Sequence, residues 1–466
     1  MVMGYPGRTS RYITSWETQE TIDNTNAVRV KVRTKKLSLM KEDMDKSLKV
    51  RIQYASKYAE SANYWKYSIG QNRGLKNLDV IAKKKAIEKK LTDWMNLDNT
   101  RKLKYGESFS LIEKAIASRK TFNATQNYLY EALIEGCEIT TFVLQCRGLE
   151  ELLNDKTKKD ALKAKLDELK SAAEKFYKDY YPETDKKIMS AMLKMYYESV
   201  SKDFYPPFYK DFGINYQKDI DKYVEKMFAK SIFADSIKFY AFLKNPDAKT
   251  FSKDLTVKTS ADIISVFRNI RVQGAAFDNS LQKGDRLFIT ALMEMESDKT
   301  FYPDANSTMR LTYGVVDGYE PADGVIYKYY TTLKGYIEKE DSTNAEFIVP
   351  KKLKELYYKK DFGQYAENGE IITCFTTNND ITGGNSGSPV INAKGQLIGA
   401  AFDGNWEAMS GDIAYEPAIQ KCICADIRFI LFIIDKISGA TNLINEMTIV
   451  KGEAPSPAKM LEQPVH

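Results

Sequence analysis

At 466 residues the chain is long enough for two or three domains, and 43% apolar residues can fill real cores. Its net charge of +6 comes from 69 basic and 63 acidic residues, too dispersed a mixture for a nucleic-acid-binding stripe. No apolar run reaches membrane-spanning length, and no signal-peptide pattern opens the sequence.

In chain order, the first sixteen residues read as strand and turn, with Met1-Val2-Met3-Gly4-Tyr5-Pro6-Gly7 resembling mid-strand sequence running into a turn. From about Val30 to Thr250 the pattern is helical: Lys and Glu are dense, glycine is sparse, and apolar residues such as Tyr54, Tyr58, Ala62 and Trp65 recur at helical spacing. Helices are predicted over about 37–70, 75–96, 106–121, 124–153, 156–179, 186–202, 215–243, 260–272 and Asp285–Ser297. A coiled coil is excluded, because no strict heptad is sustained.

After Tyr302-Pro303-Asp304-Ala305-Asn306 the period shortens. Thr308–Val316, Thr331–Glu338, Ile371–Thr377 and Ser388–Phe402 read as strands, and Cys422–Ile437 as a strand closing on a helix. Lys451–His466 holds three prolines and reads as a disordered tail. Cys137 and Cys146 read as core thiols. Cys422 and Cys424 would share one face of a strand, and with no histidine nearby a zinc site is not expected.

The chemistry concentrates in Thr382-Gly383-Gly384-Asn385-Ser386-Gly387-Ser388-Pro389-Val390. A serine hydroxyl becomes a nucleophile when a base takes its proton and backbone N–H groups hold the oxyanion. Glycines allow the sharp turn such N–H groups need. Ser386 would supply one N–H and Gly384, two residues earlier, the other. The competing reading is a Gly/Ser hairpin turn. The full G-N-S-G-S-P string followed by two strands favours the nucleophile loop, and Ser388 two residues after Ser386 excludes the G-x-S-x-G elbow. The one histidine of the chain is His466, its last residue, so the usual base is not encoded upstream.

Val2–Thr9, Asn63-Tyr64-Trp65-Lys66, Phe301–Thr308, Thr382–Val390 and Ala401-Phe402-Asp403-Gly404-Asn405-Trp406-Glu407 together resemble bacterial dipeptidyl peptidases of the chymotrypsin-like serine type that carry a helical domain. The resemblance runs from residue 1 to about 450. It implies an α+β fold: the second β-barrel of a double barrel, interrupted by a large all-α domain, with the first barrel and its catalytic His and Asp absent from this chain. The implied boundaries are 1–16 for the first strand region, 17–300 for the helical cap, 301–450 for the rest of the barrel and 451–466 for the tail. By the resemblance, Ser386 is the nucleophile and Gly384 an oxyanion-hole donor. Asp403 holds the substrate's α-ammonium with help from Asn63, and Phe402 favours an apolar N-terminal residue. Gly404 stands where one subgroup carries an arginine that selects acidic residues. Alone, Asp403-Gly404 would read as a hairpin turn, Asn63 as helix surface and Phe402 as core.

The expected function is a serine-type dipeptidyl peptidase releasing dipeptides from free N-termini, with an apolar residue preferred next to the cut. No cofactor or metal is expected. The expected partners are peptides, and either a missing first barrel or a second copy of the chain; neither nucleic acid nor a membrane span is expected. The family implies a periplasmic or cell-envelope location. This chain by itself is expected to be nearly inactive. The alternatives are a non-catalytic peptide-binding scaffold and an ordinary chymotrypsin-like endopeptidase, the latter leaving the helical insertion unexplained.

Overall fold

The computed structural model describes residues 1–210 and 219–451; His466 and the expected tail beyond Lys451 lie outside them, as does part of the expected helix 215–243. The chain divides into two compact units, Tyr12–Tyr302 on the one hand and Met1–Arg11 with the chain from Pro303 onward on the other.

The first of these units is helical, and its element ends follow capping chemistry. Thr14 accepts the Glu17 N–H while Glu17 accepts the Thr14 N–H, a capping box that starts Ser15–Glu20. The expected helix 37–70 is two helices, Ala27–Lys46 and Leu48–Asn77. Ser47, extended at φ −145°, ends one and caps the next through its side chain. The expected 124–153 helix is broken as well, into a π turn Leu129–Ile134 and helices Glu138–Gln145 and Leu149–Asn154, with Gly148 at φ +82° before the last. In the opposite sense, the two helices expected over 260–272 and 285–297 are one continuous helix, Leu255–Met295. The unit's main core packs Tyr54, Phe142, Met192, Tyr196, Phe233 and Phe239, among others. Cys137 and Cys146 are buried free thiols there, as expected. Among the described residues no helix is long and apolar enough to cross a membrane.

The other unit is built on strands β1 (Val2–Gly4), β2 (Arg310–Thr312), β3 (Tyr319–Ala322), β4 (Val325–Tyr327), β5 (Tyr330–Thr332), β6 (Ile372–Thr377), β7 (Pro389–Ile391), β8 (Leu397–Gly404) and β9 (Cys422–Asp426). The principal sheet runs β2-β1-β7-β8-β9-β6-β5, and its paired strands are antiparallel. The chain after β2 then crosses to β6. Val316 bridges Thr377, the Asp317 N–H donates to Thr376 O at 3.1 Å, and the Asn378 N–H donates to Val315 O at 3.1 Å. These bonds tie the strip after β2 to the end of β6 and so close β2, β1, β7, β8, β9 and β6 into a ring, with β5 outside it as the terminal strand of the sheet. Val2, Phe375, Val390, Ala401, Cys422 and Cys424 fill its interior. Cys422 and Cys424 share one face as expected, with their sulfurs 3.6 Å apart. Thr331–Glu338, expected as a strand, is strand only to Thr332; Leu333–Glu338 is helical because Leu333 turns into a second core with Leu353, Phe362 and Phe432. The helix Lys351–Lys359 was not foreseen.

Candidate active site

The segment 382–390, expected to be the nucleophile loop, leads from β6 into β7. These strands are not neighbours in the sheet, so the segment is not a simple hairpin turn. Two successive tight turns shape it. The Asn385 N–H donates to Thr382 O at 3.1 Å and the Ser388 N–H to Asn385 O at 2.9 Å. Asn385 is buried, and its side-chain oxygen accepts the Thr382 N–H at 3.2 Å. At the far side, the Gly387 N–H donates to Ala401 O at 2.7 Å and the Ala401 N–H to Ser388 O at 2.8 Å, locking the loop against β8.

The segment after β1 holds the loop from below. The Gly7 N–H donates to Gly383 O at 2.6 Å. A Cβ on Gly4 would stand 2.0 Å from Ser388 Oγ, and one on Gly384 would stand 2.3 Å from Tyr5 O. Gly384 also has φ +102°, which side chains rarely adopt. The opening strand is thus the floor on which the Ser386 turn rests, and its glycine is required by close approach.

With these bonds made, the N–H groups of Gly384 and Ser386 have no acceptor among the described residues. Ser386 itself is exposed, and its hydroxyl has no hydrogen-bond partner among them. An exposed hydroxyl beside two unengaged amides is the arrangement an acyl-transfer site needs on its electrophilic side.

β8 leads to the other expected residues. Its pairing with β9 slips between Ala401 and Asp403: Ala401 faces Cys424 and Asp403 faces Ile423, which leaves Phe402 as the extra residue of a β-bulge. Strict alternation would send one of Phe402 and Asp403 inward. The bulge leaves both outward, and Phe402 is 63% exposed, so it is not core. Asp403 and Gly404 still pair with β9, so they are not a hairpin turn either. One Asp403 oxygen accepts the Gly404 N–H at 2.8 Å. Beyond them Asn405, buried, caps the 3₁₀ turn Trp406–Ser410 and binds Lys421 and Ile419 backbone.

The structure therefore brings Gly384, Ser386, Phe402, Asp403 and Gly404 to neighbouring stretches of one barrel. Asn63 lies on the exposed face of the helix Leu48–Asn77, in the helical unit. Sequence reasoning gave no role to Gly4 or Asn385, which set the loop's shape. The asparagine inside G-N-S-G was the available signal, since a small amide next to a glycine turn commonly bonds nearby backbone. Among the described residues no cluster of His, Cys, Asp and Glu could hold a metal.

A model of the family Peptidase S46 matches residues 1–449. The chain belongs to the Peptidase S46 family. It is 43% identical over 455 residues to Dipeptidyl-peptidase 7 of Porphyromonas gingivalis, a match covering 97% of this chain and 62% of that protein. It is 36% identical over 454 residues to the Asp/Glu-specific dipeptidyl-peptidase of the same organism, again covering 97% of this chain and 62% of the relative. Among solved structures, Porphyromonas endodontalis DPP11 in complex with the dipeptide Arg-Glu superposes with a TM-score of 0.86 at 34% identity, covering 96% of this chain and 63% of that one. The S46 chain described here thus spans about three-fifths of the length of these relatives.

Proposed function

We propose that this S46 chain carries the nucleophile and substrate-measuring half of a serine-type dipeptidyl peptidase. The observation that carries the reading is the exposed Ser386 beside the unengaged Gly384 and Ser386 amides, on a barrel that also presents Asp403. In the reaction Ser386 Oγ attacks the carbonyl carbon of the second peptide bond. Its proton passes to a base and then to the leaving amine. The two amide N–H groups donate to the oxyanion, and water hydrolyses the resulting ester. Asp403 pairs with the substrate's α-ammonium, assisted by Asn63, which fixes the cut two residues from the N-terminus.

Gly404 supports a preference for an apolar residue next to the cut. It offers no cation to an acidic side chain, whose desolvation would then cost several kcal/mol, on the order of the burial penalty for an unpaired charge. Other relatives of this chain are named Asp/Glu-specific dipeptidyl-peptidases. We propose the base and the groups completing the grip on the N-terminus to lie on a first barrel. That barrel, or a second copy of the chain, would cover the exposed Met309, Leu311, Tyr313 and Val315. A periplasmic or envelope location belongs to the same proposal.

The test is a panel of dipeptidyl reporters on the protein with the relatives' remaining length restored. Turnover should fall by about 10⁴–10⁶ in Ser386→Ala, and Asp403→Ala should lose its rate on free N-termini. A Ser386→Ala protein that keeps its rate sinks the assignment. The second reading, a peptide-binding scaffold, draws on the Ser386 hydroxyl's having no base beside it among the described residues. It is distinguished by dipeptide binding without turnover in the restored protein.

A further inference from the structure

The helical unit holds a cleft of about 570 Å³ that the proposed activity does not use. The helices Ala27–Lys46 and Leu48–Asn77 and the π turn Leu129–Ile134 supply much of its lining. Its floor is apolar: Met40, Tyr54, Phe142 and Ile188 line it and are buried. Its rim is aromatic: Tyr64 and Tyr130 line it and are 50% and 44% exposed. Asn63 is not a lining residue, so the cleft is distinct from the contact proposed for the substrate's α-ammonium.

Two cations of the lining share one anion. Arg29 and Arg33 stand one turn apart on Ala27–Lys46, and each donates its Nε–H at 2.8 Å to a different oxygen of the buried Glu131. Both guanidiniums lie against the Tyr64 ring, 5.8 and 5.2 Å from its centre. Arg29 Nη1 donates to Ser68 Oγ and Arg33 Nη1 to Ser61 O, each at a long 3.4 Å. The Nη2 group of each arginine has no acceptor among the described residues. Elsewhere in the lining Lys57 pairs with Glu138, and Lys36 donates to Glu135 O at 2.8 Å. Glu60 and Glu135 are exposed, so water screens their charge. The part of the lining withdrawn from water, Arg29 and Arg33 with Glu131, therefore carries one positive charge in excess.

Charge and shape together select a ligand class. A planar guanidinium edge matches the oxygens of a carboxylate. Donors left unpaired away from water carry a free-energy cost that a bound anion removes. One excess charge suits a monoanion better than a phosphate dianion, and an apolar floor under an aromatic rim suits an apolar body attached to it. We propose that this cleft binds a small monocarboxylate bearing an apolar or aromatic group. Its carboxylate sits on the Nη2 groups of Arg29 and Arg33, and its apolar part lies over Met40, Phe142 and Ile188. A free aryl or alkyl acid and the C-terminal carboxylate of a peptide ending in an apolar residue share this chemistry. The inference does not rest on the activity proposed above, since it requires neither Ser386 nor Asp403.

Calorimetric titration of the full chain with 4-phenylbutyrate, N-acetyl-Ala-Phe and 4-phenylbutylamine tests this without turnover. The acetyl group removes the α-ammonium, so Asp403 cannot account for binding of the peptide. At least one of the two acids should bind, and more tightly than the amine by about tenfold or more; the tighter acid identifies the source of the carboxylate. Arg29→Met leaves Arg33 to pair with Glu131 and removes the excess charge, so acid affinity should fall about tenfold. Thr141→Trp, at an exposed lining position, should block binding without touching the charges. If Arg29→Met does not fold, Thr141→Trp decides alone. A native chain that binds neither acid, or binds the amine as tightly as the acids, overturns the inference. Acid binding left unchanged by either folded variant overturns it too, because the acid would then sit elsewhere.

Discussion

Gly404 and Gly384 show two different reasons for a glycine at one site. A Cβ on Gly384 would collide with backbone, Tyr5 O at 2.3 Å, in a conformation that disfavours side chains. Gly384→Ala should therefore displace the loop, lower kcat by about 10²–10³ through the lost amide, and lower Tm as well. At Gly404 the obstruction is milder. A Cβ there would lie 3.0 Å from Ala408 Cβ and 3.3 Å from the Met409 methyl. Met409 can swing away, whereas Ala408 is tied by its N–H to Asn405. Gly404→Arg alone should gain acidic preference only weakly. Adding Ala408→Gly should raise the Asp/Glu to Leu ratio of kcat/KM by about tenfold over the single variant; reporter kinetics on both variants decides this, and equal ratios count against it.

At the scale of elements, ring closure depends on the strip after β2. Lys421 is fully buried, and its ammonium donates to Asp317 at 2.9 Å and to Pro417 O at 3.0 Å. Asp317→Ala would leave that ammonium without its counter-ion. Because Asp317 is half exposed, the loss should be about 2 kcal/mol, below the usual cost of breaking a fully buried pair; Lys421→Met should cost less. Denaturant titration of both variants checks the order. The helical unit offers a pH test. Burial, with the nearby Glu17, pushes Asp285 up to about 7 from 3.8. The folded unit holds this proton more tightly than the unfolded chain, so protonation favours folding. Its contribution is present below about 4 and fades as pH rises towards 7. Asp285→Asn should stabilise the protein at pH 8 by about 1–2 kcal/mol, reduced for the residue's partial exposure, and have little effect at pH 4. A variant with the native pH profile of Tm would remove Asp285 from the account.

For the whole molecule, the two crossings between units lie side by side within the barrel unit. Arg8 bridges Asn306, the Thr9 N–H donates to Ala305 O at 3.4 Å, and Thr9 Oγ1 donates to Asp304 at 2.6 Å. The helical unit, with a core of its own, is thus an insertion whose two ends meet on the barrel. A chain with residues 12–302 replaced by a short Gly/Ser linker should fold the barrel as a cooperative unit, since the ring's hydrogen bonds and the Val2–Cys424 core remain. Circular dichroism and calorimetric unfolding test this; a non-cooperative melt would show that the barrel depends on the insertion.

The sequence by itself carried the family likeness and the broad plan. A glycine-flanked serine needs few residues to be recognised, because the turn it requires is local. The change from helical to strand period after Asn306 is likewise local, and so is the alternation that puts Cys422 and Cys424 on one face. Helix lengths were less legible. Ser47 halts a helix by capping the next, whereas Gly284, between two helices expected as separate, sits inside one because its missing Cβ lets the helix meet Ile112 at close range. Only the tertiary structure decided that Phe402 and Asp403 face outward together, since a bulge is a property of pairing with β9 and not of β8 alone. The closure of the ring through Val316 and the meeting of Arg11 with Asp380 and Gly411 are of the same kind. Val316 lies 61 positions from Thr377, and Arg11 lies 369 and 400 positions from Asp380 and Gly411, so no local preference in any of these segments specifies the contacts.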